Sequence, residues 1–291
     1  MIIIYHSRDL DGYTSGAILK KRFPEAKLIG YDYGQPIPEG LEGEDIIMVD
    51  VSFEMNDLLY TASKSKSFVW IDHHISAINK LKEYSDLPPQ LKVVLQDGIA
   101  ACEIAWSWAF PDREMPLVVT LLGMYDTWRN KDKKYWDEVI LPFQYGMRTM
   151  CRSAETFPVE MFRVIEQFEI QDVLALGGAI LNYQKEQDAR AAKSSFTFEW
   201  NRYRVIAING GGFNSNAFQS VYDESKHDIM MPFVYNGNFW VVSLYTTKEI
   251  DCAAIAKSMG GGGHKKAAGF QVPTVMELPF SFRLIHNPSN G

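Results

Sequence analysis

What most constrains this chain is a series of short apolar runs in its first half, rich in β-branched residues, that end in Asp or His. Met1-Ile2-Ile3-Ile4-Tyr5 leads into His6-Ser7-Arg8-Asp9-Leu10-Asp11-Gly12, the run from Ile46 to Val51 carries Asp50 near its close, and Phe68 to Ile71 leads into Asp72-His73-His74. Apolar runs of about four to eight residues between turn signals read as buried strands. Ala26–Tyr33 and Lys92–Leu95 extend the set. Helical patterns fall between and after them at Thr14–Phe23 (stopped by Pro24), Asn56–Ser63, Ile75–Glu83, Ala100–Phe110 and Pro116–Tyr125, and Asp132–Lys134 reads as a solvated loop. Strands alternating with helices predict an α/β fold with a mostly parallel, doubly wound sheet covered on both faces.

From Pro158 the pattern turns helical and increasingly polar as far as Lys193. Strands are then expected at Phe196–Trp200, Arg204–Asn209, Met230–Tyr235, Phe239–Tyr245 and Ala267–Val272, with a helix over Asp251–Ser258 and a glycine loop after it. The expected organisation is a first α/β domain over 1–157, a helical linker over 158–194, and a smaller mixed-sheet α/β domain over 195–291.

Charge narrows the function. The whole chain carries −7, divided as −8 over residues 1–194 and +1 over the rest. A protein that coats long nucleic acid is normally basic, so that role is set aside. No apolar run approaches the roughly 20 residues that cross a bilayer, and the start lacks a basic leader. A cytoplasmic protein without a membrane partner is therefore expected. Cys102, Cys151 and Cys252 show no metal or disulfide spacing and read as buried small hydrophobes.

In parallel α/β sheets, ligands gather beyond the carboxyl ends of the strands. His6, Asp9, Asp11, Asp50, Asp72, His73 and His74 fall there, and Asp126 closes a helical stretch. Any one Asp in such a place is commonly a helix cap or turn former. Together they form a set of carboxylates and imidazoles that repel unless a cation lies among them, and oxygen and nitrogen donors without thiolate favour Mn²⁺ or Mg²⁺.

His6…Asp9-x-Asp11-Gly12, Val49-Asp50, Asp72-His73-His74 and Asp126, in that order, resemble the four motifs of the DHH phosphoesterase superfamily. Gly260-Gly261-Gly262-Gly263-His264-Lys265-Lys266-Ala267-Ala268-Gly269 is similar to the signature of the associated C-terminal domain, and the likeness spans nearly the whole chain. The resemblance implies a catalytic domain followed by a substrate-binding domain, and a phosphoesterase using two divalent ions, usually Mn²⁺, with Mg²⁺ as the other candidate. By motif, His6, Asp9 and Asp50 hold one ion, and Asp11, Asp50, His73 and Asp126 hold the other. Asp72 then orients an imidazole, and His74 addresses the scissile phosphate.

Gly261, Gly262, Gly263, His264 and Lys265 form a candidate anion site, since successive glycines let backbone amides approach a phosphate. A bare helix cap is the competing reading of the first glycines. Where nucleotide-acting relatives carry an arginine, Ser243-Leu244-Tyr245 places Tyr245, a stacking ring or a core residue, and Arg129 is a substitute anion ligand or a solvated side chain. Trp106, Trp108 and Phe110 read as core, Asn209-Gly210-Gly211-Gly212 as a turn, and His286 as exposed. The expected activity is hydrolysis of short oligonucleotides or small nucleotides, in the manner of oligoribonucleases. A polyphosphate or pyrophosphate hydrolase and a non-catalytic nucleotide-binding regulator are the alternatives. The sequence leaves a homodimer open.

Overall fold

A computed structural model describes residues 1–163 and 167–280; the expectation for His286 lies outside them. The chain divides into two compact units, Met1–Leu181 and Asn182–Gly291. No helix among the described residues is long and apolar enough to cross a membrane.

The first unit holds β1 (Ile2–His6), α1 (Leu10–Arg22), β2 (Lys27–Tyr31), β3 (Asp45–Val49), α2 (Met55–Lys64), β4 (Ser67–Asp72), α3 (Ile75–Leu81) and β5 (Leu91–Leu95). Helices α4 (Ala101–Ala109), α5 (Leu117–Asp126), α6 (Lys133–Tyr135) and α7 (Leu141–Met150) follow, and α8 (Gln167–Ala192) runs across the boundary into the second unit. The five strands are all parallel in the order β2-β1-β3-β4-β5. From β1 the chain first places β2 on one side and then β3 on the other, so the topological switch falls between β1 and β3. This is where open α/β sheets bind ligands.

Period-two alternation explains the two cores. Ile3, Tyr5, Ile47, Val49 and Ile71 face one way with α1, α4, α5 and α7. Ile2, Ile4, Ile46, Met48, Phe68 and Trp70 face the other with α2 and α3. A sheet covered on both sides has rigid strand ends, and those ends carry the polar residues.

Three expectations are corrected. Helix α1 begins at Leu10 rather than Thr14, because Asp9 accepts from Gly12 N at 3.0 Å and caps the first turn. Residues 132–134 are not a loop: Asp132 caps α6 by accepting from Tyr135 N at 3.0 Å. The chain then passes through a π-turn, Trp136–Ile140, into α7, a helix that the sequence pattern missed. Pro142 sits at the start of α7, where its lacking N–H costs nothing. The expected linker segment opens with a 3₁₀ turn at Val159–Phe162, whose Met161 and Phe162 are buried in the first core.

The second unit contains β6 (Phe196–Trp200), β7 (Tyr203–Asn209), β8 (Ile229–Tyr235), β9 (Trp240–Tyr245), α9 (Cys252–Ser258), β10 (Gly262–His264) and β11 (Ala267–Val272). Its sheet runs β10-β11-β9-β8-β7-β6, with β7 and β8 parallel and every other pair antiparallel. The fold class is thus α/β, a parallel doubly wound sheet plus a separate mixed sheet.

Candidate metal centre

At the carboxyl ends of β1, β3 and β4 the structure gathers the predicted acids and imidazoles. Donor atoms of His6, Asp9 and Asp50 lie within 4.8 Å of one another, as do those of Asp11, His73 and Asp126 and those of Asp50, His73 and His74. Asp50 joins the groups, one oxygen to each side. Its Oδ2 is 3.5 Å from His6 Nδ1, and its Oδ1 is 3.4 Å from His73 Nε2. His6 Nδ1 is also 3.3 Å from Asp9 Oδ2, and His73 Nε2 is 3.6 Å from Asp11 Oδ2 and 3.3 Å from Asp126 Oδ2.

Local backbone explains how these groups converge. Asp50 has φ 61°, a left-handed conformation that a non-glycine residue adopts at a cost and that is characteristic of functional sites. Gly12 lets the start of α1 press against β1: a Cβ there would lie 2.0 Å from the His6 carbonyl oxygen. Asp11 is fixed by the N-terminus of α4, accepting from Ala101 N at 2.9 Å and Cys102 N at 2.8 Å. Asp72 is fully buried and accepts from Trp70 Nε1, His73 N and His74 N, and its Oδ1 is 2.7 Å from His74 Nδ1. It is therefore committed to holding the imidazole of His74.

The electrostatics show a surplus of negative charge. Burial, then the neighbouring Asp50, raises Asp11 well above the usual carboxylate range, and the same causes push Asp126 to about 6. Burial pulls the His6 ring down, yet Asp50 and Asp9 overcome it and raise the ring to about 10. The hydrogen bond to Asp72 leads in raising His74 to about 9. Burial likewise opposes His73, and Asp50 raises it regardless. Protons are favoured here because no other positive charge balances the carboxylates.

The buried atoms His6 Nδ1, Asp50 Oδ1 and Asp50 Oδ2 lack hydrogen-bond partners. An unpaired buried carboxylate is costly. The unpaired atoms sit between the two trios, and the donor set is oxygen and imidazole, so the residues fit a pair of hard or borderline divalent ions.

The sequence reading missed Asp32 and Tyr33, which follow β2. Asp32 Oδ1 is 3.5 Å from His6 Nε2 and Asp32 Oδ2 is 3.0 Å from Arg8 Nε. The Tyr33 ring stands edge-on to His6 and His74, at 5.7 and 6.5 Å between centroids. The rule that found the other strand ends applies here too, because β2 neighbours β1 at the switch point. Glu103 was also missed: it is buried and accepts from Ala100 N at 3.1 Å.

Arg129, read as an anion ligand or a solvated side chain, is engaged with the protein through two of its nitrogens. Its Nη2 donates to Glu103 Oε2 at 2.5 Å and its Nε to Thr127 Oγ1 at 2.8 Å.

In the second unit the glycine run is less a free loop than expected. Gly260, at φ 79°, ends α9 with its N–H donating to Lys257 O. Gly261 and Gly263 lie so close to β11 that a Cβ would meet Gly269 O at 2.1 Å and Ala268 Cα at 2.6 Å. Gly260 and Gly262 have open space where a Cβ would stand, and of these only Gly260 needs its positive φ. Gly260 and Gly261 line a cavity of about 350 Å³ with Ser243 and Gln271, while His264 is exposed. Lys265 and Lys266 both bind Glu249, at 2.7 Å each, so their charge is shared with an acid. Tyr245 packs against the cluster of Ile206, Phe218 and Met230.

A family model, the DHH family N-terminal domain, matches residues 1–124. Among curated proteins, an uncharacterized mimivirus protein, R106, is 24% identical over 96% of this chain and 69% of its own length. Among solved structures, the DHH domain of PF0399, a member of a family of ribosomal proteins, has TM-score 0.55 at 17% identity, covering 92% of this chain and 81% of its own. A pGpG-specific phosphodiesterase, PggH of Vibrio cholerae, has TM-score 0.50 at 12% identity, covering 94% of each chain. These structural likenesses establish the fold.

Proposed function

We propose, from the match of residues 1–124 to the DHH family N-terminal domain, a phosphoesterase that uses two divalent ions, Mn²⁺ in the first place. The substrates are the phosphodiester or phosphomonoester bonds of short oligonucleotides or small nucleotides. The observation that carries the reading is Asp50: buried, backbone-strained, with both oxygens unpaired, one 3.5 Å from His6 and the other 3.4 Å from His73.

His6, Asp9 and Asp50 would hold one ion, and Asp11, Asp50, His73 and Asp126 the other. Such a pair supplies a hydroxide nucleophile near neutral pH and cancels charge on the phosphoryl oxygens. The chain's own residues do the positioning. Asp72 engages Nδ1 of His74, which leaves Nε2 as the ring nitrogen that donates to a phosphoryl or leaving-group oxygen. The raised His74 ring keeps the proton for that role. In the second unit, Gly261, Gly262, Gly263, His264 and Lys265 are the proposed anion-binding residues, and the modest net charge there suits a short ligand. The pGpG specificity of PggH names a substrate of this size class.

A panel with Mn²⁺ tests the reading: a dinucleotide, a short oligomer, a cyclic dinucleotide, 3′-phosphoadenosine-5′-phosphate and tripolyphosphate. The dinucleotide or oligomer is expected to be hydrolysed fastest. Turnover of tripolyphosphate alone, or of none of them, contradicts it.

A further inference from the structure

Helix α5 ends at Asp126 in a Schellman cap, and the uncommon feature is the residue at its left-handed position. Trp128 has φ 54°, a left-handed conformation that bulky residues rarely adopt. It is held there by Trp128 N donating to Tyr125 O at 3.1 Å and Arg129 N donating to Met124 O at 2.9 Å. The conformation brings no burial, since the residue is 65% exposed. The indole leans on buried Trp136, at 4.9 Å between centroids, and Trp136 stacks on Tyr125 at 5.6 Å and 8°. One side of the ring is thus backed by a rigid aromatic pair.

The turn is also tied to the metal centre. Arg129 binds Glu103, Glu103 accepts from Ala100 N, and the next two amides, of Ala101 and Cys102, hold Asp11. Single exposed aromatics are ordinary on a surface. The cap accounts for the backbone, but not for a large exposed indole where glycine is usual, braced from behind and two residues from a candidate metal ligand.

Resting on the phosphodiesterase reading above, we propose that Trp128 is the stacking surface for the nucleobase next to the scissile phosphate. It thereby selects base-bearing substrates over polyphosphate, which has no π-face. Base stacking on an aromatic side chain tolerates every base, so the selection is for the presence of a base and not its identity.

The experiment compares Trp128→Gly, which suits the left-handed backbone, with Trp128→Phe and with Tyr60→Ala, an exposed aromatic on α2. Two readouts are used. The first is KM and kcat on a dinucleotide and on its analogue lacking the base beside the scissile phosphate. The second is quenching of a 2-aminopurine dinucleotide by protein with and without Mn²⁺. Trp128→Gly is expected to raise KM and Kd for the base-bearing ligand roughly 5- to 100-fold, leave the abasic analogue unchanged, and abolish quenching. Trp128→Phe keeps most of both effects, and Tyr60→Ala behaves as the parent chain. Unchanged KM and quenching in Trp128→Gly, or an equal loss on the abasic analogue, overturns the proposal. Absence of all turnover in the parent chain contradicts the phosphodiesterase reading instead, and quenching still decides the role of Trp128.

Discussion

Two acids of the candidate metal centre behave oppositely to three acids of the second unit, while Asp9, Asp45 and Glu155 of the first unit are lowered as the latter are. In the first unit Asp11 and Asp126 are raised by burial and by the neighbouring Asp50, which for Asp126 outweighs the opposing His73 and His74. In the second, the hydrogen bond from Arg204 leads in holding Asp228 well below the usual range, with Lys248 adding to it, and Ser225 then Lys226 lower Asp223 to about 2. Lys265 and Lys266 bring Glu249 to about 2. Acids that the chain itself neutralises are structural. Acids that it gathers and leaves unneutralised await a charge from outside. That contrast, more than the number of acids, separates the site from the scaffold.

The largest effect expected is at Asp50. Asp50→Asn should lower turnover by at least about 10³-fold, because both ions lose their shared ligand, while circular dichroism stays that of the parent. A variant that keeps its rate would erase the distinction between the two kinds of acid.

Next comes Asp72, buried like Asp50 but fully hydrogen-bonded. Asp72→Asn should cost about 10- to 100-fold, the usual effect of loosening a residue that orients a ligand or catalytic ring. Its signature is an alkaline limb of the rate profile moved to lower pH, since His74 loses the partner that raises it. A uniform loss with no movement of that limb would reduce Asp72 to a packing role.

The contributions of Asp11 and Asp126 to the pH dependence of stability should have the opposite sign to that of Asp228. Asp126 and Asp11 are raised on folding, so the chelated protein binds extra protons in the folded state and gains stability as pH falls from 7.5 through about 6. His6, raised to about 10, acts in the same direction: its contribution is complete below about 6.5 and lost towards 10. Saturating Mn²⁺ should remove this gain, because ion and proton compete for the same oxygens. Asp228 is depressed, so its contribution is complete above about pH 4 and drains as pH falls further. Melting curves of the parent chain and Asp228→Asn between pH 3 and 8 read both signs. A chelated protein that is least stable at pH 5.5 contradicts the first, and an Asp228→Asn deficit that persists unchanged at pH 3 contradicts the second.

The smallest effect concerns Lys265. Because Glu249 already binds it at the surface, Lys265→Ala should change KM for a dinucleotide only a few-fold, as expected of exposed, screened ion pairs. A much larger rise would mean that the lysine leaves Glu249 for the substrate.

Apart from β10 (Gly262–His264), which was read as a glycine loop, the strands were legible in the sequence to within a residue or two, because buried strands are written as short apolar runs with sharp ends. The region from Lys133 to Met150 was not, because Pro142 reads as a breaker although it sits at the start of α7, and a π-turn has no sequence period to announce it. His6, Asp9, Asp11, Asp50, His73 and Asp126 lie close together because the ends of β1, β3 and β4 and of α5 meet near the switch point. What escaped was whatever works without a motif: the amides of Ala101 and Cys102 that hold Asp11, the Glu103–Arg129 pair, and Asp32 and Tyr33 behind a strand read two residues too long. The glycine run misled in the other direction, since most of its glycines meet steric demands of α9 and β11.

The central claim is that Asp50 stands between two cation positions. Anomalous scattering at the manganese edge, from crystals grown with Mn²⁺, tests it most directly. Two peaks about 3.5–4 Å apart are predicted, one against His6 and Asp9, the other against Asp11, His73 and Asp126, with one oxygen of Asp50 on each. A single peak, or a pair that Asp50 does not bridge, contradicts the account.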